Sequence, residues 1–475
     1  MESVARLLSW GNVVGVVFVY YLTLGFYRLF LHPLARFPGP KLAAVSRWYE
    51  GYYDLIKGGQ YTHKIKELHK KYGPIIRISP YELHVIDPAF FEVLYRMDGR
   101  WDKYAWTYDA FGARNSTIFG SDHDAHKAYR SAIAPLFSKA KIDARQDIVL
   151  KNVDKFCERI AGFAGTTVNL EAATGALARD IANEFILGKK YNDLDSDDFN
   201  YALSVASLGT GKFWRTNKFI RWYGPALKMM PVDWVSKTAD QGMKAFLRLF
   251  KAAFKHIRQE VGTVSGAGYE TTASALRLIF FHVFTNPPIL HRLRQELDSA
   301  TTTTPLKLEP LPLKTLLPLP YLTAVLTEGL RLSPAVATRA ARISDKDLFY
   351  GAWRIPARTP VGMTTLLMHT DEKLYPDAMR FDPGRWLGEG AGGGGAKKGG
   401  LGRRGLAPFG RGTRGCLGMH LAWAEMYVAL AALVQRFDFV IEGATATDFE
   451  FERDDFSIGT KAGCNLLARV SLRGN

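Results

Sequence analysis

Cysteine is scarce in this chain: three residues among 475, Cys157, Cys416 and Cys464. That is too few for a disulfide scaffold. No two stand as C-x-x-C, so a zinc ribbon or a four-cysteine iron–sulfur site has no ligand set. Negative charge is also in short supply: 46 Asp+Glu face 62 Lys+Arg, a formal net charge of +16. Such an excess suits an acidic partner or an anionic membrane surface. No nucleic-acid motif accompanies it, which sets nucleic acid aside as a partner. There is no dinucleotide fingerprint and no internal repeat. What is present is globular: 47% hydrophobic and 23% charged residues exclude a disordered chain. The length allows two or three domain-sized units. Aromatics at 13% can build a large core and line an apolar pocket.

Long hydrophobic runs are confined to the N-terminus. Between Arg6 and Arg28 lie 21 uncharged residues, Leu7 to Tyr27, fifteen of them apolar or aromatic. At about 1.5 Å per residue they span a hydrocarbon core of about 30 Å. A cleaved signal peptide has a shorter apolar stretch and a small-residue cleavage site. This one runs into Tyr27-Arg28-Leu29-Phe30 and His32-Pro33, so residues 1–31 read as an uncleaved anchor, with a transmembrane segment at about 7–27. Arg28, Arg36 and Lys41 outweigh Arg6, which places the C-terminal flank in the cytosol. Free thiols fit that reducing compartment. Phe37-Pro38-Gly39-Pro40 cannot continue a helix and makes a rigid elbow between anchor and body.

In the body, residues 32–475, Tyr61–Tyr72 has helical spacing. Ile75–Ile78 and Leu83–Ile86 read as short strands about a Ser79-Pro80 turn. Helical patterns follow at about Asp122–Phe137, Asp147–Phe163, Ala172–Leu187, Lys237–Gln259, Tyr269–Thr285, Pro288–Asp298, Leu319–Leu332 and Cys416–Phe437. Phe437–Glu442 and Leu466–Leu472 alternate like strands. The fold class is mainly α with minor β. Gly388–Gly405 contains ten glycines in eighteen residues. It lacks the flanking strand and helix of a phosphate loop and reads as a flexible, basic surface insertion.

The strongest chemical signal is Phe409-Gly410-Arg411-Gly412-Thr413-Arg414-Gly415-Cys416-Leu417-Gly418. Its glycines let the backbone turn tightly and approach something flat and large. The cysteine stands just ahead of an apolar helix, whose free N–H groups stabilise negative charge on sulfur. Arg414 can balance a nearby anion. A lone cysteine in such a turn is usually structural; the full spacing F-x-x-G-x-R-x-C-x-G points instead to an axial thiolate for heme iron. On this motif and three others in order, the chain resembles the cytochrome P-450 family of heme-thiolate monooxygenases over essentially its whole length. The second motif is Glu328-Gly329-Leu330-Arg331, a carboxylate and a guanidinium on one helix face. The third is Phe381-Asp382-Pro383-Gly384-Arg385-Trp386, and the fourth Ala267-Gly268-Tyr269-Glu270-Thr271-Thr272.

The resemblance implies a P-450 fold with heme (iron protoporphyrin) as cofactor and Cys416 as axial thiolate and metal ligand. Phe409, Gly412, Arg414 and Gly418 then shape the cofactor site. Arg385 joins Glu328 and Arg331 in a buried triad on the thiolate side. Gly268, Glu270 and Thr271 lie on the long helix across the oxygen face, which opens locally there. Thr271 hydrogen-bonds at the oxygen site and Glu270 relays protons. His126 and Arg130, in His126-Lys127-Ala128-Tyr129-Arg130, meet a heme propionate, as does Arg342. Cys157 and Cys464 are small core residues. Electrons come from a membrane-bound NADPH-cytochrome P-450 reductase, docking on a cationic face of Lys127, Arg130, Lys139, Lys141, Arg403 and Arg404. The expected location is the endoplasmic reticulum membrane, single-pass, with the catalytic domain cytosolic.

Trp101, Tyr104, Trp106, Tyr108 and Phe111 lie where the family places a substrate-contacting loop. Phe213, Trp214, Phe219, Trp222 and Tyr223 lie in the pocket's roof, interleaved with Lys212, Arg215, Lys218 and Arg221, a mix that also suits a membrane interface. Core packing is the competing reading of both clusters. The N-terminal third is similar to fungal secondary-metabolism members of the trichodiene-oxygenase-like branch. It does so through Leu31-His32-Pro33-Leu34, Phe37-Pro38-Gly39-Pro40-Lys41-Leu42, Lys71-Tyr72-Gly73-Pro74 and Glu82-Leu83-His84. The implied substrate is an apolar secondary metabolite, a terpenoid, hydroxylated or epoxidised with O2. One departure stands out. Arg258-Gln259-Glu260 passes through Val261–Gly266 directly into the fourth motif, so about three turns of the family's helix, roughly 16 Å, are missing. Either the preceding helix substitutes, or the gene model lacks an exon, or the protein is a catalytically impaired heme-binding membrane protein. A heme-thiolate isomerase or dehydratase is the alternative within enzymes; Glu270 and Thr271 speak against it.

Overall fold

The computed structural model describes residues 10–229, 257–301, 309–387, 405–461 and 465–474. Helix α1 (Trp10–Phe26) continues as one apolar helix to Leu31. Among the described residues it is the one helix long and apolar enough to cross a membrane, and no residue of Trp10–Phe26 is buried. Its root is bonded to the body. Arg28 donates to the Val45 carbonyl and the Tyr81 hydroxyl, both at 2.6 Å, and Arg77 donates back to the Arg28 carbonyl at 2.8 Å. The Pro38 carbonyl accepts the Arg77 N–H at 2.7 Å. A Cβ on Gly39 would collide with the Arg77 carbonyl, so the elbow needs glycine there.

The main helices of the body are α2 (Tyr61–Tyr72), α3 (His123–Ile133), α4 (Gln146–Ala161), α5 (Leu170–Leu187), α6 (Tyr201–Phe219), α7 (Ile257–Phe284), α8 (Pro287–Ala300), α9 (Pro320–Leu332) and α10 (Met419–Arg436). Local chemistry sets several of their starts. Asp122 caps α3 by accepting the Ala125 N–H at 2.8 Å, and Asn169 caps α5 through the Ala172 N–H at 3.1 Å. Asn286 caps α8, which opens on two prolines whose missing N–H groups cost nothing in the first turn. The strands are β1 (Ile75–Arg77), β2 (Leu83–Val85), β3 (Trp101–Lys103), β4 (Thr167–Asn169), β5 (Arg342–Ser344), β6 (Leu348–Tyr350), β7 (Trp353–Ile355), β8 (Pro360–Gly362), β9 (Phe437–Glu442), β10 (Arg453–Asp455), β11 (Ser457–Gly459) and β12 (Leu467–Leu472). They form a five-stranded sheet in the order β1–β2–β8–β5–β3, a three-stranded sheet β4–β12–β9, and the hairpins β6–β7 and β10–β11.

Most of the apolar core lies between α4, α5, α7, α8, α9 and α10. Every residue of α10 from Ala424 to Val434 is buried, as expected of a helix apolar on all sides. α5 and α7 approach closely, since a Cβ on Gly268 would lie 3.2 Å from that of Ala182. A second core sits under the five-stranded sheet.

The mainly helical reading with minor sheet agrees with this architecture. Differences are local. The helix expected at Tyr269–Thr285 starts at Ile257, so ten residues, about 15 Å of helix, precede Ala267. Preceding residues are thus helical up to the motif, as the first of the three readings of the shortened segment expects. Of the expected Lys237–Gln259 helix, residues 237–256 lie outside the described residues and the rest belongs to α7. The helix expected at Cys416–Phe437 runs Met419–Arg436, and Phe437 opens β9. The Asp122–Phe137 helix ends at Ile133 and closes with a 3-10 turn. Residues 388–404 of the glycine-rich insertion, Cys464, Arg403 and Arg404 lie outside the described residues.

Candidate functional site

The loop ahead of α10 closes on itself. Cys416 N–H donates to the Phe409 carbonyl at 2.8 Å and Gly410 N–H to that of Ala407 at 2.9 Å. Gly412 has a φ of +73°, and a Cβ there would sit 2.7 Å from the carbonyl oxygens of Tyr95 and Arg96. Only glycine permits that approach. The Phe409 ring stands 6.1 Å from that of Trp423 on α10. Gly418 caps α10, leaving Cys416 at the positive end of an 18-residue helix. Burial pushes the Cys416 thiol up, while the Gly418 N–H and the Arg130 charge pull it down. Its surface is nevertheless accessible. A side chain crowded by protein yet reachable stands on the wall of an internal space.

Five basic side chains converge near it. Arg130, on α3, donates to the Gly415 carbonyl at 2.8 Å. His126, one turn earlier on the same face, is buried. Arg414 holds the carbonyls of Gly120, Ser121 and Asp122, and its buried Nε has no partner among the described residues. Lys103 and Arg342 stand directly opposite one another across β3 and β5. Both are buried, and like charges at that register repel. Their mutual influence shows at Lys103, His126 and Arg414. Burial, then Arg414, Arg342 and Arg130, pushes the Lys103 ammonium well below its ordinary range. Burial and Arg414, Lys103 and Arg130 take His126 down to about 3. Burial and Arg342 lower Arg414 to about 10, with Asp102 and Asp122 as lesser opposing influences. Lys103 is the residue that motif reading missed. Its pairing with Arg342 bridges 239 positions of sequence, and nothing local announces it.

The Glu328 triad closes, fully buried, but as a brace. Glu328 accepts from Arg331 Nη2 (2.8 Å) and Nε (2.9 Å), Arg385 Nε (3.3 Å), Trp386 Nε1 (2.9 Å) and the Asp382 N–H (2.9 Å). The remaining Arg331 nitrogen holds the His369 and Ala378 carbonyls, and Arg385 holds those of Pro376 and Asp377. Every guanidinium nitrogen is thus spent on protein atoms. The sequence placed Glu328, Arg331 and Arg385 among cofactor-binding residues; the geometry assigns them to holding the 369–386 segment. A second missed residue, His369, links that brace to the cysteine loop. Its Nδ1 meets the Arg331 carbonyl and its Nε2 accepts the Ala407 N–H, both at 2.9 Å.

On α7 the expected local opening is not a break: the helix is continuous through the motif. The Thr271 hydroxyl donates to the Ala267 carbonyl at 2.8 Å and the Thr272 hydroxyl to that of Gly268 at 3.1 Å. Glu270 acts on Tyr269 and on Glu171 of α5, raising both, and Glu171 is itself paired with Arg277. Gly268 serves the close α5–α7 packing.

The two aromatic clusters divide. Trp101, Tyr108, Phe111, Phe213 and Trp214 are buried. Tyr104, Trp106, Phe213 and Arg221 line a cavity of about 620 Å³. The expected membrane-facing cations are partly internal: Lys218 pairs with buried Glu50 (2.7 Å) and Asp54 (2.5 Å), and Arg215 with Asp455. Arg130 likewise faces the cysteine loop, whereas Lys127, Lys139 and Lys141 are exposed.

A buried excess of positive charge beside one accessible thiol calls for a flat ligand with two carboxylates at its edge and a thiolate-loving metal. Heme has that complement, and the residues present fit it. Fold and site together define a heme-thiolate protein. The chain belongs to the cytochrome P450 family, whose model matches residues 44–222 and 243–463. It is a monooxygenase, an oxidoreductase that uses O2, with heme iron held by an axial cysteine thiolate. Similar proteins are fungal. The cytochrome P450 monooxygenase tpcC of Cochliobolus heterostrophus is 36% identical over 469 residues, covering 89% of this chain and 86% of that protein. The tryptophan 6-hydroxylase fscE of Fusarium equiseti is 32% identical over 519, covering 100% and 99%. The cytochrome P450 monooxygenase TRI4 of Fusarium sporotrichioides is 33% identical over 479, covering 93% and 90%. The fungal secondary-metabolism branch read from the N-terminal third therefore stands.

Proposed function

We propose that Cys416 is the axial ligand and that this chain oxygenates an apolar secondary metabolite of terpenoid type at the membrane surface. The observation that carries the reading is the convergence of Lys103, His126, Arg130, Arg342 and Arg414 beside Cys416 at the head of α10. Heme, when bound, supplies the redox and oxygen chemistry. The rest is the work of this chain. The α10 N-terminus, the Gly418 N–H and Arg130 hold Cys416 as a thiolate. Lys103, Arg130, Arg342 and Arg414, with His126 beside them, would hold the two cofactor carboxylates, whose charge would offset the repulsion among them. Thr271 turns its hydroxyl proton from the Ala267 carbonyl toward the oxygen site, and Glu270 replenishes it. The packed α5–α7 pair excludes water. Residues 1–31 form a single-pass anchor in the endoplasmic reticulum membrane, and residues 32–475 a cytosolic catalytic body served by NADPH-cytochrome P450 reductase. The ten helical residues before Ala267 favour an active enzyme over an impaired one.

The test is expression of wild type and Cys416→Ser with ample porphyrin, followed by heme content and the carbon-monoxide difference spectrum. The thiolate-type band is expected in wild type only; its survival in the serine variant refutes the assignment. Reconstitution with the reductase should give NADPH-dependent oxygen uptake, which an isomerase or dehydratase does not need.

A further inference from the structure

We propose that the cavity walled by Arg47, Trp106, Asp109, Arg114, Phe213 and Arg221 is a recognition site for the carboxylate end of an amphipathic substrate. At about 620 Å³ it is the size of a small-molecule site. Three guanidiniums face one carboxylate in its wall. The Trp106 indole lies between two of them, with Arg47 4.1 Å and Arg221 4.6 Å from the ring centroid. Arg221 donates to the Trp106 carbonyl at 2.7 Å, and Arg47 to the Tyr104 hydroxyl. Both arginines are held in place by neutral partners; Arg221 also feels the Asp109 carboxylate, and three guanidiniums against that one acid leave the wall an excess of positive charge. Arg47 Nη1 and Trp106 Nε1 are buried donors without a partner among the described residues.

A carboxylate, with two oxygens and in-plane lone pairs, satisfies such donors together. Asp109 adds a second requirement. Its Oδ2 pairs with Arg114 at 2.9 Å, while its buried Oδ1 has no hydrogen-bond partner among the described residues. A ligand with an N–H or O–H near its carboxylate meets that oxygen. Phe213 and Tyr104 take the apolar remainder. The class so defined is an apolar or aromatic acid with a neighbouring donor, such as an N-acyl amino acid or a hydroxy acid. The inference goes beyond the terpenoid reading by naming an acid, and it rests on the proposed function only for the word substrate; binding itself does not require turnover.

The test is calorimetric titration of the full-length holoprotein in detergent with N-acetylphenylalanine and with its carboxamide, a neutral analogue of the same shape in which one carboxylate oxygen becomes an NH2 donor. Wild type should bind the acid at least tenfold more tightly. Arg47→Gln and Arg221→Gln should each bring the ratio near one with heme content unchanged, and Asp109→Asn should weaken both ligands. Equal binding of acid and amide, no binding of either, or a ratio that survives both arginine variants overturns the proposal. A protein that binds the acid yet takes up no oxygen with its reductase fails the proposed function alone; one that takes up oxygen yet ignores the carboxylate fails this inference alone.

Discussion

His369 makes the cysteine loop sensitive to acid in a way that can be measured. The imidazole is fully buried, with Nδ1 against the Arg331 carbonyl and Nε2 accepting the Ala407 N–H. Nδ1 therefore carries the proton and Nε2 must stay bare. Burial, with the charges of Arg331 and Arg411, pushes this histidine down to about 3. In the unfolded chain it titrates near 6.5. Between those values the unfolded state binds a proton that the folded state refuses. Stability is therefore complete above about 6.5 and is lost as pH falls. At pH 5.0 the loss from this residue is about 2 kcal/mol, roughly a thirtyfold change in the folding equilibrium. His369→Gln cannot titrate. At pH 7.5 it should be less stable than wild type by about 1–3 kcal/mol, from impaired buried hydrogen bonds. At pH 5.0 that gap should shrink by about 2 kcal/mol. Urea unfolding of both holoproteins at the two pH values, followed by fluorescence and by the heme band, reads it directly. An identical gap at both pH values would refute the reasoning.

Two further outcomes follow from the buried charges. Glu328→Gln strands Arg331 and Arg385 in the interior at a cost of about 3–5 kcal/mol. At about 1 kcal/mol/K of unfolding entropy for a chain this long, Tm should drop by about 3–5 °C, with loss of heme content; calorimetry showing wild-type values for both would contradict the brace. Lys103→Met should move the apo and holo forms in opposite directions. The apoprotein gains about 0.2–1 kcal/mol as the pairing with Arg342 ceases to repel. Heme, however, leaves faster in a transfer assay. Movement of both forms in one direction would mean that the cations do not serve the cofactor.

Helices with a clean apolar period were legible from sequence: Tyr61–Tyr72 has the bounds its spacing predicts. The three-residue strands were mostly not, because so short a run has no period to read. The cysteine loop, the triad and the oxygen-face motif were legible as spacings. What the spacings concealed was use: Arg331 and Arg385 spend their donors on the Glu328 carboxylate and on backbone carbonyls. Lys103 and His369 entered the site only through contacts across hundreds of residues or across a fold. The helix through Gly262, Gly266 and Gly268 was unexpected because glycine disfavours helix locally. Packing against α5 overrides that preference, and Gly268 is what lets α5 come close.

The root of α1 is clasped by Arg28, Arg77 and Tyr81 rather than left on a slack tether. In a bilayer such a joint fixes the tilt and height at which the body rides. With the proposed anchor so seated, the body would explore a plane rather than a volume, and the proposed reductase in the same leaflet would meet it with most of the orientational search already done.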